Sequence, residues 1–479
     1  MQYIIMIKNF FQKKPVATIL AEAESKTLVR SLNGFHLIAF GIGAIIGAGI
    51  FVLSGKAAAE HAGPAVVLSF VLAGLACAFA ALCYAELASV LPVSGSAYTY
   101  AYATMGELVA WCMAWLLILE YGLTSSIVAS GWSGYFLSLL RDFGITFPPE
   151  YTAAYGEVIK GSTATGIFNV PAFLALLLVS ILLSLGVKES ARVNNIIVTI
   201  KLVVIMSFII IGAFYVDPAN WTPFIPENEG VGKFGYDGIL KGAGMIFFAY
   251  IGFEMVSTAA QETVNPQKNI PIGIIGSLII CTIIYIAVAM VMTGIVSYKD
   301  LGVPDPIALA VDKIGLGWFS LIIKIGAIAG LSTVMLIVLY GQTRIFYMVS
   351  KDGLIPPIFS KIHPKFKTPF ANTYIVGFFA ALAAGLTPLS KLGDLVSMGT
   401  LFAFCVVCFT VLYLRKSQPD LNRPFVCPGA PVVPILGIAS CLYLIYGIGW
   451  SVFVTLKIYF IAGIVIYLLY GQFKSKLSR

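Results

Sequence analysis

The run Gly41-Ile42-Gly43-Ala44-Ile45-Ile46-Gly47-Ala48-Gly49-Ile50-Phe51 constrains this chain more than any other. It lies inside an apolar stretch long enough to cross a bilayer as a helix. Yet Gly41, Gly43, Gly47 and Gly49 fall within it, each weakening a helix by roughly 1 kcal/mol relative to alanine. Backbone that leaves the helix at membrane depth survives only where protein buries it or water wets it. Its freed amides and carbonyls are then available to a polar ligand. A second interruption, Phe248-Ala249-Tyr250-Ile251-Gly252-Phe253-Glu254, stands in a later apolar stretch. Paired broken spans in corresponding halves are the pattern of a secondary transporter built from inverted repeats.

Composition sets the surroundings. Of 479 residues, 59% are hydrophobic and 11% charged, where a soluble domain carries about 25% charged residues. The expected fold is an all-α polytopic membrane protein of about twelve spans. The apolar runs place them near 36–59, 64–90, 106–138, 168–187, 193–216, 238–263, 271–297, 317–349, 372–387, 393–414, 434–450 and 456–472. The net charge of +8 is not a nucleic-acid signal, because the cations follow loop parity. Lys13, Lys14, Lys26, Lys268, Lys351, Lys365, Arg415 and Lys476 share one side, so the positive-inside rule puts both termini in the cytoplasm. No cofactor motif or metal-ligand grouping is visible. Cys405 and Cys408 form a CxxC without a companion pair, which reads as packing. The N-terminus lacks the pattern of a cleaved signal peptide.

Along the chain, residues 1–33, with a mixed-charge Glu22–Arg30 segment, read as a polar, basic cytoplasmic tail, with a surface-lying helix as one option. Residues 34–217 and 218–414 form two five-span repeats. The first span of each is the broken one, and an odd span number makes the repeats opposite in orientation. Residues 415–479 add two spans and a short tail. The uncharged stretch from Leu91 to Tyr102, with alternating tyrosines, predicts a short interfacial or partly buried element, either an aromatic anchor or part of an inner gate.

Several runs resemble the amino acid–polyamine–organocation transporters, and among them the cationic amino acid transporter branch. They are GAIIGAGIFVLSG at 43–55, CYAELASVLPVSGSAYTYAYATMG at 83–106, GVKESARVNN at 186–195 and YIGFEMVSTAAQETVNPQKNIP at 250–271. RIFYMVSKDGLIPPIFSKIHPKFKTP at 344–369 and RPFVCPGAPVVP at 423–434 extend the match to the eleventh span. Animal members carry two further spans, so this chain looks like a bacterial version. The resemblance implies a five-plus-five inverted-repeat fold and amino acid transport.

A free amino acid brings a carboxylate and an ammonium that must leave water together. The helix restarting near Ala48–Gly49 offers unpaired amides at a positive dipole end, a site for the carboxylate that Gly47 lets approach closely. Carbonyls of Ile45, Phe248, Ala249 and Ile251 would accept from the ammonium. The family pattern implies the same assignment; the rival reading is glycine-mediated helix packing. Phe248 aligns with the family's aromatic over the substrate, which makes it a gate or an ordinary core residue. Glu254 opens the second half of the broken sixth span, as a helix cap or, as the resemblance suggests, a protonation site.

Lys201 puts an ammonium deep in the fifth span, which costs several kcal/mol unless compensated. Its expected role is to carry the coupling proton, bonding to carbonyls of the first broken span when charged; otherwise it snorkels. Some proton-coupled family members place a lysine here, where sodium-coupled relatives of the fold hold an ion. Ala329, Ser332 and Thr333 have the spacing of that ion site, and Ser332 also counts among candidate substrate contacts. Glu120, on the third span, would meet a cationic side chain, pair with a lysine, relay protons, or reach water near the span end.

The sequence thus predicts a non-enzymatic, proton-coupled symporter of neutral and cationic L-amino acids in the cell membrane, with the bilayer, amino acids and protons as its partners. The alternatives are sodium coupling, exchange without net proton movement, and a transport-derived amino acid sensor.

Overall fold

The computed structural model describes residues 12–14, 32–92, 96–159, 164–186 and 191–475. Residues 1–11 and 15–31, most of the expected tail with its optional surface helix, lie outside the described residues. Eight segments are long and apolar enough to cross a membrane: Gly49–Val90, Glu107–Asp142, Ile196–Ala213, Gly235–Ala260, Pro266–Ile295, Gly317–Lys351, Leu389–Ser417 and Trp450–Lys474. Shorter apolar helices span Gly34–Ile45, Val170–Ser184, Phe370–Leu386 and Val432–Ile448.

In chain order the helices are α1 (Gly34–Ile45), α2 (Val66–Val90), α3 (Ser96–Thr104), α4 (Glu107–Asp142), α5 (Val170–Ser184), α6 (Ala191–Ala213) and α7 (Gly235–Ile246). They continue as α8 (Pro266–Ile295), α9 (Pro306–Ile314), α10 (Gly317–Lys351), α11 (Phe370–Leu386), α12 (Leu389–Ser417), α13 (Val432–Ile448) and α14 (Trp450–Ile466). Two groups stand out by packing. α1, α2, α7 and α8 pack together with both interrupted segments, and α4, α5, α10 and α11 pack together. α6 lies against α1, α8 and α10, while α12 rests on α4, α2 and α13.

Local chemistry sets where the first interrupted span begins and stops. At its start, the Asn33 side chain accepts from His36 N while His36 Nδ1 accepts from Asn33 N, a reciprocal cap. Ile46 leaves the helix with ψ 98, and the chain resumes as π turns over Gly49–Leu53, a short helix Ser54–Ala57 and further π turns over Ala58–Ala62. π turns of this kind are concentrated at functional sites. The second interruption follows α7. Tight 3-10 turns over Phe247–Tyr250 give way to extended Ile251 and to Gly252 at φ 125, then to a 3-10 helix over Phe253–Glu262.

The two interruptions cross backbone to backbone. A Cβ on Gly49 would strike the main chain of Ala249. One on Gly252 would lie 2.9 Å from the carbonyl carbon and oxygen of Ala44. Glycine is needed at both points for contact, and at Gly252 also for its left-handed φ. Backbone bonds from Leu32 N to Glu262 O (3.0 Å) and from Val264 N to Leu32 O (2.9 Å) tie the start of α1 to the end of the second interruption.

The alternating tyrosines sit on α3, and Tyr98, Tyr100 and Tyr102 are all buried rather than interfacial. Tyr98 donates to Asp352 (2.6 Å) and Tyr102 to the buried carboxylate of Glu107 (2.8 Å). These carboxylates let two of the hydroxyls leave water.

Gly252→Ala should destabilise the protein by about 1–3 kcal/mol, because it adds strain to a forbidden φ and a clash with Ala44. Gly317→Ala, where a Cβ meets nothing within 4 Å, should leave the melting temperature in detergent unchanged. Equal melting temperatures for the two variants would contradict the crossing.

Candidate binding and coupling site

Where α1 stops, its terminal carbonyls lose their intrahelical donors. Ile46 N still donates to Ile42 O (2.9 Å), but the carbonyls of Gly43, Ile45 and Ile46 are taken by side chains from other helices. The buried ammonium of Lys201, on α6, donates to Gly43 O at 3.1 Å and to Ile46 O at 3.2 Å. A cation there also faces the negative end of the α1 dipole. The lysine stem runs along Gly330 of α10, where an added Cβ would stand 3.1 Å from Lys201 Cε. Lys201 therefore touches both packing groups while bonded to the broken span.

Tyr285, in the middle of α8, completes the arrangement. Its hydroxyl lies 2.9 Å from Ile45 O and 2.9 Å from Ala249 O, one carbonyl from each interruption. A phenol has one proton and donates to one acceptor at a time. Lone pairs on both carbonyls remain for another donor. The ring is held edge-on by Tyr250 and tilted against Phe70, and Tyr250 itself donates to Phe70 O at 2.9 Å.

The other sequence candidates distribute around this point. Gly47, Ala48, Gly49, Phe248, Ala249 and Ile251 are buried at the crossing. Phe248 O accepts from Ile251 N (3.2 Å), which closes the 3-10 turn. Glu254 is buried, and its Oε2 accepts from Gly252 N at 2.9 Å, capping the turn that precedes it. Ser332 faces elsewhere in its bonding: it donates to Ile328 O (2.8 Å) and accepts from Trp132 Nε1 (2.9 Å). Thr333 donates to Gly330 O.

Glu120 does not reach water near a span end, as one sequence option had it, but is 2% exposed in the middle of α4. Among the described residues no lysine or arginine pairs with it. Its neighbours are Glu254 and Thr400 of α12, and Thr124 stands one turn along the same face of α4. Among the described residues, Glu120 Oε1, Thr124 Oγ1, Thr400 Oγ1 and Glu254 Oε1 are buried with no partner in good hydrogen-bond geometry. Buried polar atoms in that condition are uncommon and point to a ligand or water position. Two further lysines on membrane helices are bound in ion pairs, Lys241 with Asp394 (3.0 Å) and Lys324 with Asp142 (2.8 Å) and Asp312 (3.2 Å). The described residues hold no group of histidine, cysteine and carboxylate ligands fit for a metal.

The amino acid permease family model matches residues 32–470. The chain belongs to the amino acid permease family. The branched-chain amino acid permease BcaP of Bacillus subtilis (strain 168) is 49% identical over 473 residues, covering 98% of this chain and 99% of the relative. The methylthioribose transporter of the same organism is 46% identical, covering 99% and 100%. Human cationic amino acid transporter 4 is 35% identical over 82% of this chain and 61% of its own length. The chain is thus a multi-pass membrane transporter and not an enzyme, within the superfamily its motifs resemble.

Sequence reasoning missed Tyr285. Its signal was a phenol within a largely apolar span, ICTIIYIAVAM, where a buried tyrosine hydroxyl normally requires a partner. Tyr285→Phe leaves two buried carbonyls without that donor, a loss of about 1–3 kcal/mol. The expected result is a lower melting temperature together with faster amide exchange at residues 46–50 and 249–252. Wild-type exchange at both breaks would remove Tyr285 from this role.

Proposed function

We propose that the protein is a proton-coupled symporter of L-amino acids in the cell membrane, with twelve spans, two inverted five-span repeats and both termini cytoplasmic. The observation that carries this reading is the convergence of Ile45 O and Ala249 O on the Tyr285 hydroxyl, beside an α1 terminus that holds the Lys201 ammonium. The carbonyls of the two breaks offer acceptors to an α-ammonium. The amides at Ala48 and Gly49, where the first span restarts, offer donors to an α-carboxylate. Phe248 closes over the substrate. Glu120, with Thr124 and Thr400, meets a polar or cationic side chain and shares proton traffic with Glu254.

Lys201 is the coupling group in this scheme. Charged, it holds α1 against α6; neutral, it loosens that tie and lets the first group of helices rock against the second. Binding must differ between the two states, or nothing couples. The same geometry disfavours sodium. A sodium ion about 4 Å from the ammonium would be repelled by about 4 kcal/mol at an effective dielectric of 20. Ser332 also accepts from Trp132 Nε1, which takes a lone pair that a cation would need.

The relatives' names support neutral branched-chain and cationic amino acids as substrates. A second reading, transport of methylthioribose, is favoured by the end-to-end likeness to a transporter of that name. That compound has neither carboxylate nor ammonium, so it would leave the charges of the proposed cradle unmatched.

Liposomes containing the purified protein separate these readings. Labelled leucine, alanine and arginine should accumulate under an inward proton gradient and not under a sodium gradient at constant pH. Lys201→Ala should abolish that accumulation while retaining counterflow. Accumulation by Lys201→Ala with unchanged proton dependence would contradict the coupling role, and uptake of methylthioribose alone would favour the second reading.

A further inference from the structure

We propose that the ion pair between Lys56 and Glu157 is the latch of the outer gate, joining the helix group that moves to the group that stays fixed. Lys56 lies on the short helix Ser54–Ala57, at the far end of the segment that restarts after the first break. Its ammonium donates to Glu157 Oε1 at 2.8 Å, with side chains 7% and 27% exposed. The proposal rests on the transport reading for its sidedness, since the charge distribution assigns this end of the molecule to the outside.

Glu157 is held by backbone bonds on both sides. It sits in the excursion between α4 and α5, where Gly156 N donates to Gly166 O and Gly166 N to Glu157 O, each at 2.9 Å, beside an antiparallel bridge between Val158 and Thr165. The base of the excursion is fixed by Ile167 N to Glu150 O (2.7 Å), and Asn169 N reaches Gly385 O on α11 (2.9 Å). The excursion is thereby part of the α4, α5, α10 and α11 group. Lys56 continues the broken span of the other group. Just below, Tyr135 of α4 donates to Phe51 O at 2.7 Å across the same boundary.

Among the described residues, the other ion pairs at this end join different elements, Arg141 of α4 with Asp305 just before α9 among them (3.7 Å). Lys324 binds Asp142 and Asp312, which lie on α4 and on α9 beside α10. Lys241 binds Asp394 on α12, which packs on α7 as well as on α4. Rocking the first group outward must pull Lys56 from Glu157. An ammonium this buried is not left bare without cost, so separation and hydration of Lys56 occur together. The pair is then closed and dry or open and wet, which makes a two-state contact. Lys56 and Glu157 are positioning residues and touch no substrate.

The test uses purified full-length protein with the single reversals Lys56→Glu and Glu157→Lys, the double reversal and the milder Glu157→Gln. Hydrogen exchange over residues 49–62 and 150–159 is measured without substrate, and leucine counterflow is measured in liposomes. Each single reversal should speed exchange over residues 49–62 about tenfold, Glu157→Gln less, and the double reversal should restore slow exchange. Exchange at the wild-type rate in Glu157→Gln and both single reversals, or a double reversal as fast as the singles, would overturn the latch. Restored exchange without leucine counterflow in the wild type would uphold the latch and fail the amino acid reading instead.

Discussion

Two interrupted helices passing in main-chain contact are the constraint on which this molecule depends. Gly49 lies on Ala249, and Gly252 lies on Ala44, so neither crossing tolerates a β-carbon. Each interruption lies against the main chain of the other. The carbonyls released at those ends cannot return to water, since the crossing is buried. They must be satisfied by side chains from elsewhere, and Lys201 and Tyr285 do so. An unpaired buried carbonyl costs about 1–3 kcal/mol. Two side chains from two other helices are therefore held at one place by the demands of the backbone alone.

That arrangement also gives the site its capacity for change. Tyr285 offers one proton to two carbonyls, and Lys201 offers several to the end of a helix whose dipole favours a cation. Any ligand with its own ammonium competes for the same acceptors. In the proposed scheme, loss of a proton from Lys201 would weaken its tie to α1. Both events alter the contact between the helix group that contains the breaks and the group built on α4 and α10. The Lys56–Glu157 pair spans the same boundary, so the proposed site and the proposed gate would share one mechanical division.

Much of this was legible in the sequence because glycine is costly inside a membrane helix. The density of Gly41, Gly43, Gly47 and Gly49 marks the place where α1 ends and the chain restarts at Gly49. Gly252 marks the second break in the same way. Lys201 was conspicuous as a charge at depth. What the sequence did not reveal was pairing across the fold. Nothing adjacent to Tyr285 in the chain says that its hydroxyl meets Ile45 and Ala249, which lie 240 and 36 residues away. Glu120 was ambiguous because depth along a 36-residue helix cannot be read from composition. The tyrosines of α3 left an interfacial and a partly buried reading open, because one of their acceptors, Asp352, comes from a distant part of the chain.

The central claim is that main-chain groups freed at the two breaks hold both charges of a zwitterion. Equilibrium binding of leucine to the purified protein, compared with leucine methyl ester and with 4-methylpentanoate, tests it most directly. The ester lacks the carboxylate charge and the acid lacks the ammonium, while all three keep the same side chain. The account predicts that leucine binds and that both analogues lose at least about tenfold in affinity, or 1.4 kcal/mol. Equal binding of the three would contradict it, because recognition would then lie in the side chain alone.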